Sequence, residues 1–177
     1  MSLPYAVTGS YSMLIISAKR KYMDNVPNKL LIVYHSKSGT VKKMADAIIS
    51  GATAVSGTTV ELVNPLKITP ATVKTCQAII IGTPENFGYM SGPVKYFFEE
   101  IYYECIECTR GLSYALFVAA DNDGSGAVSS MKKIITGLGW NNVAEPMICK
   151  KGVTSQELES CRELGMTISA GLELGLY

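Results

Sequence analysis

A single histidine and a single tryptophan leave this 177-residue chain with few of the side chains that metal centres and acid–base relays use. No Ser-His-Asp triad and no histidine-rich metal cluster can be assembled around His35 alone. Charge of one sign is also missing: 16 Lys and Arg face 15 Asp and Glu, for a net charge of +1. A phosphate backbone needs a basic field to grip, so nucleic acid is excluded as the expected partner. Long apolar runs are absent too. The run Tyr114 to Ala120 is far short of the roughly 20 residues that a membrane-spanning helix requires, so no membrane span is expected. Near the N-terminus the apolar Met13 to Ile16 precedes the cationic Lys19-Arg20-Lys21, which reverses the order of a secretory signal. Five scattered cysteines are an odd count, unlike the dense, even framework of a small secreted domain, and they fit the reducing cytoplasm best.

What is present is apolar: 47% of residues are hydrophobic and 18% charged, enough for one domain with a full core and too much for disorder. Residues 1–28 lack sustained periodicity and read as an N-terminal extension; residues 29–177 read as the domain, with 13 basic and 14 acidic side chains. From Lys29 onwards, short β-branched runs alternate with longer amphipathic stretches, the pattern of parallel strands joined by crossover helices. Leu30 to Tyr34 is too continuous to be half exposed and reads as a central strand. Val41, Met44, Ala45, Ile48, Ile49 and Ala52 recur at helical spacing. Strands are expected at Thr58 to Val63, Ala78 to Gly82, Leu112 to Ala120 and Val143 to Cys149. Helices are expected around Val94 to Ile101, Val128 to Leu138, and from the capping box Thr154-Ser155-Gln156-Glu157 towards Gly171. Connections too long for hairpins imply right-handed crossovers and an open sheet between two layers of helices.

In such α/β sheets ligands sit beyond the carboxyl ends of the strands, where the winding reverses, so the loops after strands one, three and four should carry the chemistry. The first is His35-Ser36-Lys37-Ser38-Gly39-Thr40, between a buried strand and a helix N-terminus. Converging amides, the positive end of a helix dipole and small hydroxyls there suit a phosphate, and they equally suit ordinary helix capping. Neither the dinucleotide pattern G-x-G-x-x-G nor the nucleoside-triphosphate pattern G-x-x-x-x-G-K-[ST] is present. The second loop, Thr83 to Gly92, is rich in Gly and Pro, and the third is the polar Asp121-Asn122-Asp123-Gly124-Ser125-Gly126.

Leu31-Ile32-Val33-Tyr34-His35-Ser36-Lys37-Ser38-Gly39-Thr40 resembles the phosphate loop of the flavodoxin superfamily. The segment Gly82-Thr83-Pro84-Glu85-Asn86-Phe87-Gly88-Tyr89-Met90-Ser91-Gly92-Pro93-Val94-Lys95-Tyr96-Phe97 resembles its second flavin loop and the helix after it, closest to the WrbA-type NAD(P)H:quinone oxidoreductases and NADPH-dependent FMN reductases. The similarity runs from about Lys29 to Gly171. The resemblance implies a flavodoxin-like three-layer α/β/α sandwich with a five-stranded parallel sheet of order 2-1-3-4-5, and FMN as cofactor. Ser36, Lys37, Ser38, Gly39 and Thr40 would hold its phosphate. Thr83, Pro84, Glu85, Asn86, Phe87, Gly88 and Tyr89 would flank the isoalloxazine, and Asp121, Asn122, Asp123 and Gly124 would border its other side. Where flavodoxins commonly carry a Thr two residues after the loop glycine, this chain has Val41.

The implied activity is oxidoreduction: NADH or NADPH as transient donor, a small-molecule quinone or flavin as acceptor, and no side chain required as nucleophile or general base. A homo-oligomer is compatible with the sequence. The alternative is a flavodoxin-type electron carrier; such carriers are strongly acidic to steer towards basic partners, and this body is neutral. The pair Cys105-Ile106-Glu107-Cys108 is two ligands short of a structural zinc site and reads as two ordinary thiols, with a redox-active or incidental disulfide as the alternative. Trp140 is expected to pack at the end away from the flavin loops.

Overall fold

Leu30, Leu31, Ile32 and Val33 are buried completely because strand β1 (Asn28–Tyr34) lies in the middle of a sheet with helices on both faces. The computed structural model describes residues 28–177; apart from Asn28, the expected N-terminal extension lies outside them. In chain order β1 is followed by α1 (Thr40–Thr53), β2 (Thr58–Val63), α2 (Pro70–Lys74), β3 (Ala78–Asn86), β4 (Tyr89–Met90), α3 (Gly92–Cys105), β5 (Ser113–Ala120), α4 (Ser125–Leu138), β6 (Asn141–Asn142), β7 (Met147–Lys150) and α5 (Ser155–Glu173). The parallel order is β2-β1-β3-β5, closed at the far edge by β6 and β7. This is the expected 2-1-3-4-5 order with its fifth strand in two pieces.

That break replaces the single strand expected over Val143 to Cys149. β6 pairs with the start of β5 at Ser113 and Tyr114, and β7 pairs with its end from Phe117 to Ala120. Pro146 lies in the gap, where a residue without an N–H cannot continue a ladder.

Alternation along the strands divides the core in two. Leu31, Val33, Ile79, Ile81, Leu116 and Val118 face α3 and α4; Leu30, Ile32, Ile80 and Phe117 face α1 and α5. On the second face the helices meet at backbone contact. A Cβ on Gly51 would stand 1.8 Å from the Arg162 carbonyl oxygen, and one on Gly165 2.0 Å from that of Ile48. The expected capping box opens α5: the Thr154 hydroxyl accepts from Glu157 N–H at 3.2 Å, and the Glu157 carboxylate accepts from Thr154 N–H at 2.8 Å.

Trp140 is buried beside the start of β5 and donates from Nε1 to the Thr109 hydroxyl at 2.8 Å, at the end remote from the strand C-termini. Cys105 is buried at the end of α3 and Cys108 is exposed in the turn beyond it, both as free thiols. Burial pushes the Cys105 thiol up to about 11, so it is a poor source of thiolate. Among the described residues no helix is long and apolar enough to cross a membrane, and no group of three His, Cys, Asp or Glu residues is placed to hold a metal ion.

Candidate functional site

Three loops converge where β1, β3 and β5 end side by side, with Tyr34 opposite Gly82 and Pro84 opposite Ala119. The winding of the sheet reverses between β1 and β3.

The first loop carries the β1–β3 ladder one step further, through His35 N–H to the Gly82 carbonyl at 3.1 Å, and then turns sharply into α1. Ser36 organises the turn. Its Oγ accepts from the amides of Gly39 and Lys42, each at 3.2 Å, which leaves its own proton free to be donated. Gly39 occupies the N-cap with φ 95°, a left-handed conformation that a side chain would strain. No side chain caps α1 from that position, and a Cβ on Gly39 would meet nothing within 4 Å among the described residues. The amides of Thr40 and Val41 have no partner among the described residues, and Lys37 and Ser38 stand exposed beside them. Two open amides, hydroxyls at Ser36, Ser38 and Thr40, and a lysine around a cleared helix N-terminus fit the phosphate of FMN. The His35 imidazole is held below its usual pKa, by burial first and by Lys37 second, and its buried Nδ1 has no hydrogen-bond partner.

The second loop is built differently from the open loop expected over Thr83 to Gly92. β3 runs on to Asn86, turns through Phe87 and Gly88, and returns antiparallel as β4, pairing Glu85 with Met90 and Asn86 with Tyr89. Both turn residues have positive φ, 55° and 69°, as a two-residue hairpin of the right twist requires. Phe87 is thus a bulky residue in the left-handed region with its ring fully exposed at the rim. Thr83, by contrast, is buried. Its Oγ1 accepts from Ser91 N–H at 2.9 Å and lies 3.1 Å from the Ser91 hydroxyl, so it ties the base of the hairpin.

The third loop leads into α4. Asp121, Asn122 and Asp123 are exposed, and Asp123 Oδ1 accepts from the hydroxyl and amide of Ser125 at 2.7 and 2.9 Å, which holds its carboxyl below the usual range. The second and third loops touch directly. The Glu85 carboxylate accepts from the amides of Gly124, Gly126 and Ala127 at 3.3, 3.0 and 3.2 Å, and a Cβ on Gly126 would stand 2.0 Å from the Gly88 oxygen. Ser91 and Ser130 hold the hairpin base, and no sequence motif singles out Ser130; Met90 N–H donates to Ser130 Oγ at 3.1 Å. No local pattern announces a contact between residues forty positions apart.

Residues 32–165 match the family model described as flavodoxin. The chain is 33% identical over 73 residues to a flavodoxin of Aquifex aeolicus, across 41% of this chain and 40% of that protein. It is 34% identical over 92 residues to an NAD(P)H dehydrogenase (quinone) of Acidithiobacillus ferrooxidans, across 41% of this chain and 46% of that one. These matches span less than half the length of either relative. Among solved structures, a flavodoxin, WrbA-like protein from Agrobacterium tumefaciens superposes with a TM-score of 0.66 at 18% identity, covering 83% of this chain and 98% of that one.

Proposed function

Because the chain belongs to the flavodoxin family, we propose that it is an FMN-dependent oxidoreductase that takes electrons from NADH or NADPH and passes them to a quinone, a flavin or another aromatic acceptor. The observation that carries the reading is the open N-terminus of α1. Its free amides, the Ser36, Ser38 and Thr40 hydroxyls, the positive-φ Gly39 and Lys37 surround space that a phosphate monoester fills. Bound FMN supplies the hydride and electron chemistry. The chain's task is to bind and shield. Pro84 to Tyr89 form one rim of the ring site, Thr83 supports that rim from beneath, and Asp121 to Gly124 form the other. The exposed Phe87 offers an aromatic face on which a flat ring can pack. No side chain is needed as general base, and five free thiols suit a reducing compartment such as the cytoplasm.

The quinone dehydrogenase relative supports an enzyme, as does a body of nearly balanced charge. The Aquifex flavodoxin supports the second reading, an electron carrier that docks on a protein reductase. Anaerobic mixing of flavin-loaded protein with NADH and with NADPH separates the two. Rapid bleaching of the oxidised flavin by either donor, followed by recovery on adding a quinone, is the expected result. No bleaching by either, with rapid reduction through a flavodoxin reductase, identifies the carrier.

A further inference from the structure

Helix N-termini are ordinarily capped from within, by a Ser, Thr, Asp or Asn at the N-cap itself. α4 has Gly124 there, with φ 76° and no side chain to offer. Of the backbone amides there, Asp123 beside it accepts only that of Ser125, at 2.9 Å; the amides of Gly124, Gly126 and Ala127 go to Glu85, about forty residues upstream on the opposite rim of the site, through three charge-assisted hydrogen bonds of 3.0 to 3.3 Å. Gly126 removes the Cβ that would otherwise strike Gly88 O, so the hairpin turn lies directly on the first turn of the helix. Ser130 holds Met90 lower down. The hairpin is therefore fixed at two heights, and only the upper fixing is charged.

Asp123 already caps the first amide of α4 locally, so stabilising the helix does not by itself require a carboxylate from across the site. The non-local cap couples the second loop to the third. Resting on the flavin reading above, we propose that Glu85 is a positioning residue for the flavin: its carboxylate latches the hairpin, and so Phe87 and the Pro84 to Gly88 backbone, at the height of the ring. The same carboxylate brings one negative charge to the rim, which disfavours the extra negative charge of a reduced flavin and lowers its potential.

Two variants separate latch from charge. Glu85→Gln keeps the length, loses the charge and sets an NH2 group against an amide N–H; Glu85→Asp keeps the charge and falls one methylene short. In both, the dissociation constants for FMN and for riboflavin should rise together, about tenfold, because the hairpin holds the ring and not the phosphate. Only Glu85→Gln should raise the two-electron midpoint potential, by about 30 mV for each tenfold by which reduced flavin gains on oxidised. In the flavin-free protein the amide resonances of Gly124, Gly126 and Ala127 should shift and exchange faster in both variants. Flavin affinities within twofold of wild type overturn the positioning role, and an unchanged potential in Glu85→Gln overturns the charge effect, each while leaving the flavin reading intact. If Glu85→Gln fails to fold, the affinity and amide exchange of Glu85→Asp decide. A wild-type protein that takes up no flavin overturns this role together with the reading beneath it.

Discussion

Helices α1 and α4 begin in the same way and end up in opposite electrostatic states. Each follows a parallel strand, each has a glycine with positive φ at its N-cap, and neither receives a side-chain cap from that glycine. At α4 the amides of Gly126 and Ala127 are taken by the Glu85 carboxylate and that of Ser125 by Asp123; at α1 the amides of Thr40 and Val41 have no partner among the described residues, none of which lies within 4 Å of a Cβ on Gly39. Orphan N–H groups and the dipole make every helix N-terminus a place for an anion. The difference is who supplies it. One end is closed by carboxylates of the chain itself and serves as architecture; in the proposed function the other receives the phosphate of FMN.

The largest expected effect comes from forcing the closed end apart. At Gly126 an added Cβ meets a backbone oxygen 2.0 Å away, which no rotamer change relieves. Gly126→Ala should cost about 3 kcal/mol of stability, the upper part of the usual range for overpacking. In a chain of this size that lowers Tm by roughly 2–4 °C per kcal/mol, read by calorimetry. An unchanged Tm would mean that the hairpin does not rest on α4. Next in size is the open end. Ser38→Ala should weaken FMN binding by about 1.5–3 kcal/mol, the worth of a hydrogen bond to a charged group, while riboflavin binding stays as it was. Equal losses for the two ligands would show that the α1 end does not hold a phosphate.

The two N-cap glycines sharpen the comparison further. Gly39→Ala meets nothing within 4 Å, so its cost should be the left-handed strain alone, about 1–2 kcal/mol. Gly124→Ala adds a contact of 2.7 Å with Ile148 Cγ2, and its loss of stability should be the greater. Equal chemical denaturation midpoints for the two would remove that distinction.

Much of the fold is legible in the sequence. Strands buried on both faces announce themselves as unbroken apolar runs, and Leu30 to Val33, Ala78 to Ile81 and Tyr114 to Ala120 do so. The first loop is legible because strand, glycine and helix are contiguous. The hairpin is not. Phe87-Gly88 lacks the Asn-Gly or Asp-Gly that marks a turn with two positive φ values, so Thr83 to Gly92 reads as an open loop. Thr83 reads as one of the residues flanking the ring; that its hydroxyl pairs with Ser91 depends on the hairpin fold and leaves no local trace. The cap from Glu85 is equally non-local, since only the parallel pairing of β3 with β5 brings it to α4. The fifth strand is visible in the pattern of Val143 to Cys149, but its division at Pro146 appears only in the pairing with β5.

The smallest effect tests how positive the open end is near neutral pH. His35 sits at the mouth of α1, half-buried beside Lys37, with Nδ1 unpaired. Burial and the neighbouring ammonium both disfavour its cation, so its folded pKa lies below the ordinary value of 6.5. The unfolded chain therefore takes up a proton before the folded one does, and stability rises with pH through that window. The contribution of a neutral His35 should be complete above about pH 7 and should fall away as the pH drops below the unfolded pKa. His35→Gln keeps a polar side chain and cannot titrate. Urea denaturation of both proteins between about pH 7.5 and 5 should show the wild type losing stability relative to the variant on acidification. Parallel curves would mean that His35 is as easily protonated folded as unfolded, so that below about pH 6.5 the open end of α1 gains a cation beside Lys37.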